Sequence, residues 1–172
     1  MEFVETGKHM LLDAAEQLLN RLLEEYPDDN FNRSSSLHTL GDIYKRRNKL
    51  DVALEYYWKA VEFEKQYPNV QTQADIDFSD LVVKLEKVES YSKVEMLMND
   101  RVRKSLFPIE KYRGYSILSI INKRTGKNEL SDHFRELAEQ NANSETSGLR
   151  YHQNLGTVKK RDTWLDRILN GR

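Results

Sequence analysis

Residues 37–60 read Leu37-His38-Thr39-Leu40-Gly41-Asp42-Ile43-Tyr44, then Lys45-Arg46-Arg47-Asn48-Lys49, then Leu50-Asp51-Val52-Ala53-Leu54-Glu55-Tyr56-Tyr57-Trp58-Lys59-Ala60. In the first part Leu37, Leu40, Ile43 and Tyr44 fall at i, i+3, i+6 and i+7, one face of a helix. Asn48-Lys49-Leu50 is a short turn, after which Ala53, Leu54, Tyr57, Ala60 and Val61 trace a second helix up to the stop at Tyr67-Pro68. Ser34, Ser35 and Ser36 offer an N-cap to the first helix and Asp51 to the second. Gly41 and Ala53 are small where two helices can cross closely, Leu40, Tyr44 and Tyr57 fill the seam, and Ala60 leaves room for a further helix. The stretch predicts a helical hairpin.

Working outward, Pro27, Pro68 and Pro108 are separated by 41 and 40 residues. Proline lacks an N–H and keeps the residue before it out of helical geometry, so the three read as boundaries of a repeat. After Pro68, Ile76, Phe78, Leu81, Val82 and Leu85 predict one helix, and Ser92-Lys93-Val94-Glu95 is a capping-box pattern opening another through Leu97, Met98 and Val102. Past Pro108 a third hairpin runs through Tyr112, Tyr115, Leu118 and Ile121, turns at Thr125-Gly126-Lys127-Asn128, and continues through Leu130, Phe134, Leu137 and Ala138. A polar loop over 141–148 follows. A last helix over 157–169 carries an apolar stripe of Trp164, Leu165, Ile168 and Leu169.

Leu37, Leu40, Gly41, Tyr44, Ala53, Tyr57 and Ala60, at offsets of 3, 1, 3, 9, 4 and 3, resemble the tetratricopeptide repeat signature. Ala15, Leu19, Leu22 and Pro27 resemble the second half of another such repeat, whose first helix would be Met1 to Met10 or lie upstream. Residues 69–107 and 109–148 keep the rhythm of helix pairs but carry Val82 and Ser119 where the glycine belongs, with a period near 40 in place of about 34. HEAT-type repeats share that longer period. The resemblance implies an all-α fold, a right-handed superhelix of antiparallel helix pairs: a half repeat over 1–27, repeats over 28–68, 69–108 and 109–148, and a capping helix within 149–172.

Composition agrees with a helical chain. The 172 residues hold 32% charged side chains but only seven glycines and three prolines, a poor balance for turn-dense β folds. With no cysteine, disulfides, thiol nucleophiles and the usual structural zinc sites are excluded. No stretch approaches the roughly 18 uninterrupted apolar residues of a membrane helix, and the start, Met1-Glu2-Phe3-Val4-Glu5, lacks the basic and apolar regions of a signal peptide. A cytoplasmic protein without a membrane partner is the expectation. The net charge of −1 hides an asymmetry: residues 1–86 carry ten basic and seventeen acidic side chains, residues 87–172 seventeen and eleven.

No catalytic constellation, metal site or cofactor motif emerges. His9, His38, His133 and His152 are scattered, with no second histidine three or four residues from any of them. Thr125-Gly126-Lys127-Asn128 is a fragment of a phosphate loop and reads as a turn. Asp75, Asp77 and Asp80 at a helix start complement its dipole. Lys45-Arg46-Arg47 and Lys159-Lys160-Arg161 are basic, but near-neutral overall charge and tyrosines at core spacing argue against nucleic acid.

The resemblance leaves a concave groove as the working surface, lined by the first helix of each pair. By the repeat register its positions are Ser35, His38, Asp42, Lys45 and Arg46, then Ser79, Val83 and Glu86, then Arg113, Ser116, Ile120, Lys123 and Arg124. In chaperone-binding members of the family lysine and asparagine clamp a terminal carboxylate; here His38 and Asp42 stand at those places, which argues against that ligand. The expected function is binding of a protein or an acidic peptide, without chemistry. The alternative is a peptide-sensing domain of the kind found in bacterial quorum-sensing regulators. The stripe of Trp164, Leu165, Ile168 and Leu169 either seals the last repeat or joins two copies into a homodimer.

Overall fold

The computed structural model describes the backbone of residues 2–169 and the side chains of residues 10–162 and 164–169. Within them every regular element is helical: α1 (Glu2–Glu25), α2 (Asn30–Arg46), α3 (Leu50–Gln66), α4 (Ala74–Lys84), a 3-10 turn (Val88–Ser90), α5 (Tyr91–Lys104), α6 (Pro108–Arg124), α7 (Asn128–Ala142) and α8 (Thr163–Leu169). The fold is all-α. The chain divides into two compact units, 1–78 and 79–172. Residue 1 and residues 170–172, the two ends of the expected half repeat and capping segment, lie outside the described residues. Of the two places expected for the first helix of the half repeat, Met1 to Met10 or upstream, the former does not hold a separate helix: α1 runs unbroken from Glu2 to Glu25.

In the first unit α2 and α3 form the hairpin, and its seam is Leu37, Leu40, Ile43, Ala53, Tyr57, Ala60 and Val61, all buried. Gly41 is required there: a Cβ at this position would enter the ring of Tyr57, which is 0% exposed and has nowhere to move. The Tyr57 hydroxyl donates to Asp42 Oδ1 at 2.7 Å, so the buried ring also satisfies its polar end. α2 starts at Asn30, earlier than the serines suggest, because Asp29 is the cap and accepts from the Asn32 N–H at 3.1 Å. Ser34 and Ser36 are then buried inside the helix, and Ser34 donates to Glu64 Oε1 at 2.5 Å. Asp51 lies in the first turn of α3, one position beyond its start, with Lys49 at the cap. α1 is held on α2 by Glu16, which accepts from the Tyr44 hydroxyl and from Arg47 Nη1, while Arg47 Nη2 reaches Asp13. That bond to Glu16, with burial, pushes the Tyr44 hydroxyl up to about 12.

In the second unit α6 is the central helix, packed against α5, α7 and α8. Tyr112, Ile117, Leu118, Ile120 and Ile121 are buried on it. Ser119, where the repeat signature wants glycine, meets Ser131 of α7 reciprocally. Its hydroxyl donates to the Ser131 carbonyl at 2.8 Å, and the Ser131 hydroxyl donates to the Ser119 carbonyl at 2.9 Å. Two helices thereby approach closely with small polar residues, each bonded, where an unpaired buried hydroxyl would cost about 1–3 kcal/mol. Two helix starts differ from expectation. α5 begins at Tyr91, buried, directly after the 3-10 turn, so Ser92 is inside the helix and exposed and caps nothing. α8 begins at Thr163, since Asp162 Oδ1 accepts from the N–H groups of Trp164 and Leu165 at 2.9 and 3.0 Å.

Three turns close in one hydrogen-bond pattern. After α2, Lys49 N–H donates to the Tyr44 carbonyl and Asn48 N–H to that of Lys45. After α4, Lys87 donates to Val82 and Glu86 to Val83; after α6, Lys127 donates to Asn122 and Gly126 to Lys123. These are Schellman closures, which need a left-handed residue just past the helix. Asn48, Glu86 and Gly126 occupy that place with φ of 58°, 54° and 79°. Asparagine and glycine tolerate it, whereas the Cβ of glutamate does not.

Two substitutions test this account. Gly41→Ala should destabilise the chain by about 1–3 kcal/mol, the usual cost of overpacking a filled core, measured by urea denaturation. Glu86→Gly should stabilise it by about 0.5–1 kcal/mol, since the relief of left-handed strain outweighs the loss of one exposed ion pair.

Candidate functional site

The groove positions expected on α2 come together in the first unit. His38 and Asp42 stand one helical turn apart, and Lys45 and Arg46 follow in the last turn of α2. His38 Nε2 lies 2.9 Å from Asp77 Oδ2, which the first turn of α4 delivers from thirty-nine residues further on. Asp42 is held by Tyr57, whose ring also packs against His38 with centroids 5.5 Å apart. Lys45 Nζ lies 5.9 Å from the same ring centre, and Arg46 is exposed. Tyr57 therefore meets three of the four expected residues through its ring and its hydroxyl.

The His38–Asp77 pair is mostly shielded, with 18% and 16% of the two side chains exposed. Burial alone would lower the pKa of the imidazole. The bond to Asp77 and the negative charges of Asp42, Asp77 and Glu64 outweigh it and hold the pKa above its ordinary value. The same groups are close enough to share a cation: one ring nitrogen and one oxygen from each of Asp42 and Asp77 lie within 4.8 Å of one another. A histidine with two carboxylates is a ligand type that divalent first-row ions accept. In the sequence Asp42 reads as a groove position and Asp77 as a helix-start acid, and neither reading joins them to His38 as one cluster. The 38/42 spacing was the available signal; nothing in the sequence brings Asp77 to it.

The remaining expected residues belong to the second unit and have different surroundings. Ser79 and Ser116 are fully buried, with hydroxyls that have no hydrogen-bond partner among the described residues, so they present nothing to a groove. Arg124 is taken up internally: its guanidinium donates to the Val83 carbonyl at 2.6 Å, to the Tyr91 hydroxyl at 3.0 Å and to Glu86 at 3.1 Å. That fastens the end of α4 and accounts for both Arg124 and Glu86 as structural. Arg113 and Lys123 keep accessible positions on α6. Arg113 borders a cleft of about 480 Å³ with Ile109, Tyr112, Lys160, Arg161 and Asp162. Lys123 borders a crevice with Ser119, Ile120, Ser131, Ile168 and Leu169.

Compared with known protein families, with curated proteins and with solved structures, the chain matches none. Among the described residues no helix is long and apolar enough to cross a membrane.

The sign of the His38 shift sets a pH dependence. With its pKa raised in the fold, the His38–Asp77 interaction contributes fully below the unfolded imidazole value of about 6.5 and is lost as pH rises through the folded value. In a Trp164→Phe background, where Trp58 is the remaining tryptophan, urea denaturation followed by fluorescence should give a more stable first unit at pH 6 than at pH 8. Asp77→Asn should abolish most of that difference and cost about 1.5–3 kcal/mol at pH 6, the worth of a charged hydrogen bond.

Proposed function

We propose that the chain is a tetratricopeptide-like solenoid protein that binds a peptide or protein segment along the first helices of its pairs and performs no chemistry itself. What carries this reading is the α2 surface. His38, Asp42, Lys45 and Arg46 form a row on one side of the helix, directly beside the Gly41–Tyr57 seam, so the packing that fixes the helix also holds most of its polar groups. The three matching Schellman turns at 44–49, 82–87 and 122–127 support the repeat reading, since one turn geometry recurs where the glycine signature does not.

The ligand most suited to these rows is an extended acidic segment. Lys45 and Arg46 in the first unit, and Arg113 and Lys123 in the second, are basic positions on the first helices. Such contacts set direction and on-rate more than affinity, so a dissociation constant in the micromolar range is expected.

Panning a random peptide display library against the full chain tests the proposal. Enriched peptides should be acidic. The charge reversals Lys45→Glu with Arg46→Glu, and Arg113→Glu with Lys123→Glu, should each weaken the best peptide by about tenfold or more, while circular dichroism melts stay close to that of the parent. Failure to enrich any peptide, or binding indifferent to both reversals, overturns the reading.

A further inference from the structure

The expected groove face of α6 already has an occupant. The expected groove positions Ile120 and Lys123 share one side of the helix with Tyr112, a residue of its apolar pattern. α8 packs on α6. Asp166 of α8 accepts from the Tyr112 hydroxyl at 2.8 Å and lies 3.3 Å from Arg161 Nε. At the far end of α8, Ile168 and Leu169 share their crevice with Ile120 and Lys123. Leu165 and Leu169 are buried, at 0% and 4% exposure. The near end extends beyond the α6–α7 pair: the Trp164 ring lies 5.0 Å from Lys84 Nζ, at the end of α4. A helix that only continued a stack would cover the last pair, whereas this one also reaches the first helix of the pair before.

Among the described residues α8 is the shortest α-helix, and the segment over 143–162 that leads to it has no regular helix. That tether is fastened at separate points: Ile109 N–H donates to the Gly156 carbonyl at 2.8 Å, and Arg161 pairs with Glu139 at 2.5 Å. A short helix on a long anchored tether can leave its seat without unfolding what anchors it.

We propose that the α6 face bearing Tyr112, Ile120 and Lys123 is a docking surface for a short amphipathic helix, and that α8 is its intramolecular occupant, displaced by a partner of the same pattern. The pattern is set by what α8 presents: an acidic residue that reaches Tyr112 and Arg161, flanked by large apolar residues at the spacing of Trp164, Leu165, Ile168 and Leu169. This rests on the reading of the chain as a binding module and names the partner for its second unit.

The test uses the full chain and a fluorescein-labelled synthetic peptide with the sequence of residues 159–172, followed by fluorescence anisotropy. In the double variant Leu165→Asp, Ile168→Asp the resident helix loses its grip while the α6 face is unaltered. The variant should bind the peptide at least about tenfold more tightly than the parent, since the parent's surface is occupied in cis. A folded variant that binds no better than the parent overturns the proposal. If the variant fails to fold, hydrogen exchange on the parent decides. α8 amides exchanging about tenfold or more faster than those of α6 and α7 support a displaceable helix, and exchange at the same rate as α6 and α7 overturns it. The two proposals fail separately. A library without binders alongside tightened α8-peptide binding removes the acidic-segment reading and keeps the docking face. A library peptide that binds α6 equally well with α8 seated or released removes the docking face alone.

Discussion

Everything described in the first unit depends on one packed crossing, the Tyr57 ring laid against the backbone of Gly41. The absence of a side chain at 41 lets α3 approach α2 closely enough to exclude water from the ring entirely. Because the ring is fixed, its hydroxyl fixes Asp42, and the tilted contact of the two rings bounds one side of the His38 imidazole. The polar row on α2 is thus a consequence of core packing. A surface in which charged side chains were merely exposed would have no preferred arrangement, whereas this one inherits order from a buried tyrosine.

The second unit reaches a similar end by other means. It lacks the glycine of the first, and α6 and α7 meet through two serines that each donate to the other's carbonyl. Its cations are divided between tasks. Arg124 is consumed in closing α4, while Lys123, its neighbour in sequence, borders an open crevice. Adjacent residues on a helix diverge by about 100°, which is enough to turn one into structure and leave the other accessible.

The hairpin was legible from residue types because its constraints are local: a period of 3.6, a small residue opposite a large one, a turn between. That His38, Asp42, Lys45 and Arg46 share one side of α2 was legible for the same reason. What sequence did not convey were choices settled by competition or by distance. Three serines look like a cap, but Asp29, one turn upstream, binds the helix start more strongly and leaves Ser34 to bond Glu64. Ser79 and Ser116 look like groove residues, yet both are buried, and only packing decides which side of a helix becomes inner when both sides carry apolar neighbours. Asp77 was noticed as a helix-start acid, which it is, but its meeting with His38 spans thirty-nine residues and is written in no local pattern. The recurrence of the turn is the reverse case: Asn48, Glu86 and Gly126 share a backbone geometry but no side-chain chemistry, so no signature could reveal it.

The paired serines of α6 and α7 have a mechanical consequence. Both hydroxyls bond to carbonyls across the interface, so sliding one helix along the other by a single turn would break both bonds together and leave two buried donors unmet. The interface therefore behaves as a keyed joint that resists shear in either direction while tolerating slight rotation about the key. Any bending imposed on α6 is passed to α7 as rigid-body motion, and elastic give has to reside in the turns.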